Sequence, residues 1–211
     1  LELTPGTDNI IEDCACGTQK AALYCRGHLE LSGAGTLTVK GNTAHGIGTK
    51  EYFEVKKSVL ALNIAGSEKD GIHVGQYYQQ NGCTVVVTGN KGEALQVEMI
   101  TNADGTPDTS KEFNGQCIIK GGTFTAQASS DDTDVLKADG DITISGGTLT
   151  LTATGAGARC IKTDCNLTVN EATAPTAITL RATGDKFVDA TGDSSRSRLG
   201  KVDGNMLFDA G

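Results

Sequence analysis

The chain has 211 residues and a formal net charge of −8, with 26 Asp and Glu against 18 Lys and Arg. That balance opposes a nucleic-acid partner, whose backbone is bound by cations that neutralise phosphates. Gly accounts for 28 residues and aromatic side chains for 4 %; a helix bundle is excluded because each interior Gly costs about 1 kcal/mol relative to Ala, and collagen because only 3 Pro occur and no Gly-X-Y period runs through the chain.

Residues 1–20 carry no repeat and read as a lead-in or N-terminal cap. They contain Cys14-Ala-Cys16, which lacks the Cys-x-x-Cys spacing of zinc and redox motifs. Seven cysteines are present: Cys14, Cys16, Cys25, Cys83, Cys117, Cys160 and Cys165. The odd number leaves at least one unpaired within the chain. Most are expected to be small buried apolar residues, and a disulfide among Cys14, Cys16 and Cys25 is left open. No apolar run approaches the roughly 18 residues of a membrane span. The first residues lack signal-peptide regions, but a mature or trimmed chain would look the same, so export stays open.

From residue 21 to 184 the sequence repeats. Ala22-Leu23 through Gly41 and Val135-Leu136 through Gly155 share one skeleton: an apolar start, a Gly corner, an alternating segment ending in Ser-Gly, then Thr-Leu-Thr and a final Gly. Weaker copies start near Ile47, Ile72, Leu95 and Ile161. Each holds two or three short segments in which apolar residues alternate with Thr, Lys or Glu, the signal of a half-buried strand. Gly marks the corners, where positive φ is often required. A period of about 23–25 residues with three short strands is one rung of a right-handed single-stranded parallel β-helix. The predicted fold is therefore an all-β solenoid of about six to seven rungs, stacked at roughly 4.8 Å. Leu23, Ile47, Ile72, Leu95, Leu136 and Ile161 are predicted to form one interior ladder. Leu29, Phe53, Cys117, Ile142 and Leu167 are predicted to form another. A narrow interior filled by such residues accounts for the aromatic deficit.

Residues 99–114 interrupt the pattern with polar and turn-forming residues and read as a loop projecting from a corner. Loops on a rigid scaffold often carry function, although a tolerated surface insertion has the same composition. Beyond Gly184 the repeats fade, and residues 185–211 read as a C-terminal cap or tail. The whole chain, 1–211, reads as a single domain.

Carboxylates cluster at rung corners. Asp70 precedes one rung start, Asp131, Asp132 and Asp134 precede another, and Asp141 lies at a further corner with Asp139 and Asp164. Stacking would align such corners, and Ca²⁺ prefers six to eight hard oxygen donors. Asp70, Asp131, Asp132, Asp134 and Asp141 are the candidate calcium ligands. Solvated acidic turns would give the same residues. His28, His45 and His73 show no His-x-x-x-His zinc spacing. Tyr77-Tyr78-Gln79 combines aromatic rings with an amide, a pairing suited to sugar faces and hydroxyls. With His45 and Arg159 these three form the candidate carbohydrate contacts. No Gly-x-Ser-x-Gly or phosphate loop occurs, so no catalytic residue is assigned. A β-elimination lyase would need a positioned base, and Arg26 and Arg159 are the in-repeat arginines available.

The segments Ala22-Leu23-Tyr24-Cys25 to Gly41-Asn42, His45-Gly46-Ile47, Asp70-Gly71-Ile72-His73 and Asp139 through Thr148 together resemble the bacterial β-helical carbohydrate-binding domain family. That family includes clostridial cell-surface proteins that bind cellulose and acidic sugars. The resemblance covers roughly residues 10–185; the seven cysteines and the tail after Gly184 have no match in it. It implies a pectate-lyase-like β-helix, bound calcium, an extracellular or cell-surface location, and a uronate-containing or cellulose-like polysaccharide partner without established turnover. The alternatives are a calcium-dependent polysaccharide lyase and a structural adhesin or stalk.

Overall fold

The computed structural model describes residues 1–209, and every regular element among them is a strand. Three parallel sheets of seven strands each wind around one core, with non-sequential neighbours throughout. The first sheet comprises Asp8–Glu12, Thr36–Gly41, Ala61–Ser67, Thr84–Asn90, Thr123–Ala128, Gly147–Ala153 and Thr176–Ala182. The second comprises Ala21–Cys25, His45–Thr49, Ile72–Val74, Leu95–Val97, Asp134–Ala138, Arg159–Thr163 and Arg198–Val202. The third comprises Leu29–Leu31, Phe53–Val55, Tyr78–Gln80, Cys117–Ile119, Ile142–Ile144, Leu167–Asn170 and Met206–Asp209. The chain is a parallel β-solenoid of about seven turns, as its repeats predict.

The register is the predicted one. Leu23, Ile47, Ile72, Leu95, Leu136 and Ile161 stack one above the next along the second sheet. Along the third sheet the ladder runs Leu29, Phe53, Tyr78, Cys117, Ile142 and Leu167. Alternation sends these side chains inward and their Thr, Lys and Glu neighbours outward. Three of the few aromatics are fully buried, and Tyr78 meets Phe53 and Phe124 edge-on at 5.8 and 6.4 Å. The Gly-Gly-Thr corners explain themselves at Gly122 and Gly147. Both have positive φ, of 82° and 99°, and a Cβ on either would collide with the backbone of the turn below.

The ends differ from expectation. The lead-in supplies a strand to the first sheet through Asp8–Glu12. The tail is more than a cap. An antiparallel hairpin, Lys186–Val188 with Ser194–Arg196, leaves the coil, after which Arg198–Val202 and Met206–Asp209 rejoin the second and third sheets as a further turn. That turn hides in the sequence because Gly200 occupies the ladder position held by Ile161 one rung earlier.

Cys14 and Cys16 form a disulfide. Cys83, Cys117 and Cys160 are buried free thiols; burial pushes the thiol of Cys83 up to about 12 and that of Cys117 higher still. Those thiols are therefore inert packing groups at neutral pH. No helix among the described residues is long and apolar enough to cross a membrane.

Candidate functional site

A groove of about 1040 Å³ opens over the N-terminal half of the second sheet. Its floor is an outward column. Tyr24, Gly48 and His73 are register partners in successive turns. Gly48 leaves that column without a side chain, and the Tyr24 ring packs against its buried backbone. A Cβ there would come within 3.2 Å of the Tyr24 ring and the Ala21 methyl. Met99, Ile100 and Lys111 of the 99–114 insertion form one wall, and Thr18, Gln19 and Lys20 stand at another.

The insertion is built to hold that wall. Asn114 donates to the carbonyls of Ile100 and Asp108 at 2.9 and 3.0 Å, and its own carbonyl accepts from the Ile100 amide at 2.8 Å. Gln76 donates to the Glu112 carbonyl at 2.8 Å. Lys111 reaches Glu51 at 3.1 Å, and Glu51 also faces His28 at 3.6 Å.

Charge distinguishes the groove from the rest of the molecule. Lys20, Arg26, Lys50, Lys69 and Lys111 line it, against Glu51 and Glu98. Of these cations only Lys111 has a carboxylate within ion-pair distance among the described residues. Lys20 sits 5.8 Å over the Tyr24 ring, a cation–π contact that leaves its charge uncompensated. An acidic chain thus presents unpaired cations on one concave surface.

At the floor, Asp70 is buried and flanked by His45 and His73. Burial opposes its ionisation, but hydrogen bonds with the two imidazoles outweigh that and hold the carboxyl well below its ordinary range. Burial likewise disfavours the His73 cation, yet Asp70 and Glu98 raise its pKa to about 9. Glu93, one turn on, is pushed up to about 7 by burial and by the Asp70 charge.

The remaining sequence candidates fall elsewhere. Tyr78 is not a sugar contact: it is fully buried in the third-sheet ladder, with its hydroxyl donating to Gln80 at 3.3 Å. Tyr77 stands outside the coil, but Tyr52 stacks on it at 4.7 Å and Phe113 meets it at 80°, so its faces are already used. His28 extends that stack from Tyr52 at 4.6 Å. Gln79 donates to Glu54 at 3.0 Å. Arg159 is taken by Asp134, at 2.5 Å from Nε, and lies 3.5 Å from Asp132. Burial raises the Asp134 carboxyl pKa against the pull of Arg159.

The five expected calcium ligands do not converge. Asp70 engages the histidines, and Asp134 engages Arg159. Asp141 accepts from the amide and side chain of Asn166 at 3.0 and 2.9 Å. Asp131 accepts from the Ala156 amide at 2.9 Å. Asp131 and Asp132 are exposed. Of the predicted sugar contacts, His45 alone lines the groove. The groove cations escaped notice because they are spread over some ninety residues, and only stacking gathers them.

The site is thus an open, charge-lined groove along one sheet of a parallel solenoid. The chain belongs to the carbohydrate-binding domain-containing protein family, whose pattern matches residues 1–204. Carbohydrate is accordingly its ligand class. Among solved structures it is similar to the polysaccharide lyase-like protein from C. thermocellum, in a gadolinium derivative. The TM-score is 0.60 at 19 % identity, over 84 % of this chain and 64 % of that one. That likeness is one of fold, and this chain spans under two thirds of its neighbour's length. A comparison with curated proteins found no match.

Proposed function

We propose that the protein is a non-catalytic polysaccharide-binding protein that takes an acidic glycan in the groove of the second sheet. One observation carries the reading: Lys20, Arg26, Lys50 and Lys69 face the groove without carboxylate partners among the described residues of a chain whose net charge is −8. Uronate carboxylates spaced along a polymer would meet these cations directly. Calcium is proposed as a secondary bridge at Asp131 and Asp132, which are exposed and each use one carboxylate oxygen on Ala156 or Arg159, while Asp70 and Asp134 are buried against their partners. We place the protein outside the cell or on its surface, where such polymers occur; the Cys14–Cys16 disulfide suits an oxidising compartment.

Calorimetry with oligogalacturonate and with a neutral cello-oligosaccharide tests this. The acidic ligand should bind, and its affinity should fall steeply as salt rises from about 0.05 M to about 0.5 M, because exposed charges are screened. Chelation should weaken binding modestly. Equal, salt-independent affinity for both ligands would sink the acidic reading.

The lyase alternative draws on the name of the solved neighbour and on Arg26, an in-repeat arginine that lines the groove without a carboxylate partner among the described residues. Elimination introduces a new double bond, so ultraviolet absorbance during incubation with pectate separates the two. The proposal expects no rise.

A further inference from the structure

The groove floor carries a donor set that glycan binding does not use. His45 and Asp70 stand at equivalent positions of successive turns, one just ahead of Ile47 and the other just ahead of its partner Ile72. His73 follows Asp70 by three residues and stands beside Gly48 in the outward column. The imidazoles lie 4.5 Å apart, centre to centre. Oδ2 of Asp70 is 3.2 Å from Nδ1 of His45 and 2.8 Å from Nδ1 of His73. One ligand atom from each of the three residues falls within 4.8 Å of the others.

From this geometry we infer that His45, Asp70 and His73 bind a divalent transition ion of the zinc class, with a further coordination position open to the groove. Bonds of about 2.0–2.2 Å at tetrahedral angles place donors about 3.3–3.6 Å apart. The Asp70 Oδ2 spacings of 3.2 and 2.8 Å are close to that range and all three ligand atoms lie within 4.8 Å of one another, so side-chain rotations would complete the set. Two nitrogens and one carboxylate oxygen are a borderline-soft donor set suited to zinc; calcium requires six to eight oxygens.

The surroundings support the ligands. Oδ1 of Asp70 accepts from the Glu93 amide at 3.1 Å, which turns Oδ2 toward the imidazoles. A Cβ on Gly92 would collide with that Oδ1, so the glycine keeps the carboxylate's berth open. Nδ1 of His45 accepts from the Asp70 amide at 3.2 Å, so an ion bound there would take over that lone pair and displace this hydrogen bond. Glu98 lies 3.4 Å from Nε2 of His73 and orients that ring from its other side. Such outer partners fix ring orientation at metal sites. His45, His73 and Glu98 all line the groove, which gives the ion an entry path.

The inference is independent of which glycan binds. It is tested on the full chain with Zn²⁺ in calorimetry, Co²⁺ in visible absorption, and imidazole NMR resonances. The chain has only 3 His, so His28 is an internal control. One Zn²⁺ should bind per chain, Ca²⁺ in excess should not displace it, and the resonances of His45 and His73 should move while His28 stays. His45→Gln and His73→Gln should each weaken Zn²⁺ binding by more than about tenfold. Co²⁺ should give d–d bands without a thiolate charge-transfer band. The NMR readout on the unsubstituted chain decides the matter even where a variant fails to fold. No binding, movement of His28 alone, or a thiolate band would overturn the inference.

Discussion

Glu54 shows how a single side chain in this coil is held. It accepts from Lys56 at 2.7 Å, from Asn81 at 2.6 Å and from Gln79 at 3.0 Å. Burial opposes its charge, but these donors hold its pKa below the ordinary value. The sign follows: its contribution is complete above about pH 4.5 and is lost as pH falls through the lowered folded value. Glu54→Gln should cost about 1–3 kcal/mol at pH 7, and the gap to the unsubstituted chain should narrow in urea melts as pH drops below about 4.5. A gap that stays constant down to pH 3 contradicts this. Tyr78 and Tyr77 make a second contrast. Tyr78→Ala removes a fully buried ring and should cost about 3–5 kcal/mol. Tyr77→Ala removes an outer stacking partner and should cost about 0.5–1.5 kcal/mol. Adjacent residues with such different roles are a matter of strand parity, and a dipeptide alone does not reveal which one points inward.

At the scale of elements, the ladders were legible because period-two alternation and Gly-Gly-Thr corners recur at nearly fixed spacing. The turn formed by Arg198–Val202 and Met206–Asp209 was not, because Gly200 erases the apolar signal and a hairpin separates it from the preceding copy. The insertion at 99–114 was legible as a loop, whereas its role as a groove wall rests on contacts with Glu51 and Gln76 that no local pattern encodes. Replacing residues 100–113 by a short Gly-Ser linker should leave the strand spectrum in circular dichroism intact while lowering acidic-glycan affinity several-fold. Loss of the strand spectrum would instead make the insertion a structural element. Asn114→Ala should loosen the same wall and act in the same direction, with a smaller effect.

For the molecule as a whole, composition pointed to an acidic rod and placed function at its carboxylate corners. Stacking redistributes those charges. Asp134 is spent on Arg159 and Asp141 on Asn166, while cations scattered from Lys20 to Lys111 converge over one sheet. His45 and Asp70 are 25 residues apart in sequence and 3.2 Å apart in space, which is why no spacing motif announced them. A repeat makes its own period visible, but a site assembled across turns follows no period. Reversing charge in the groove, with Lys50→Glu and Lys69→Glu together, removes two exposed contacts of about 0.2–1 kcal/mol each and adds repulsion. The double variant should lose about tenfold in affinity for oligogalacturonate without a change in melting behaviour.

The most direct measurement is backbone NMR shift mapping on titration with oligogalacturonate. The account predicts that perturbed resonances cluster at residues 18–26, 44–50, 69–75 and 98–111, the walls and floor of the groove. Perturbations confined to the acidic flank around Asp131 to Asp164, or none at saturating ligand, would contradict it.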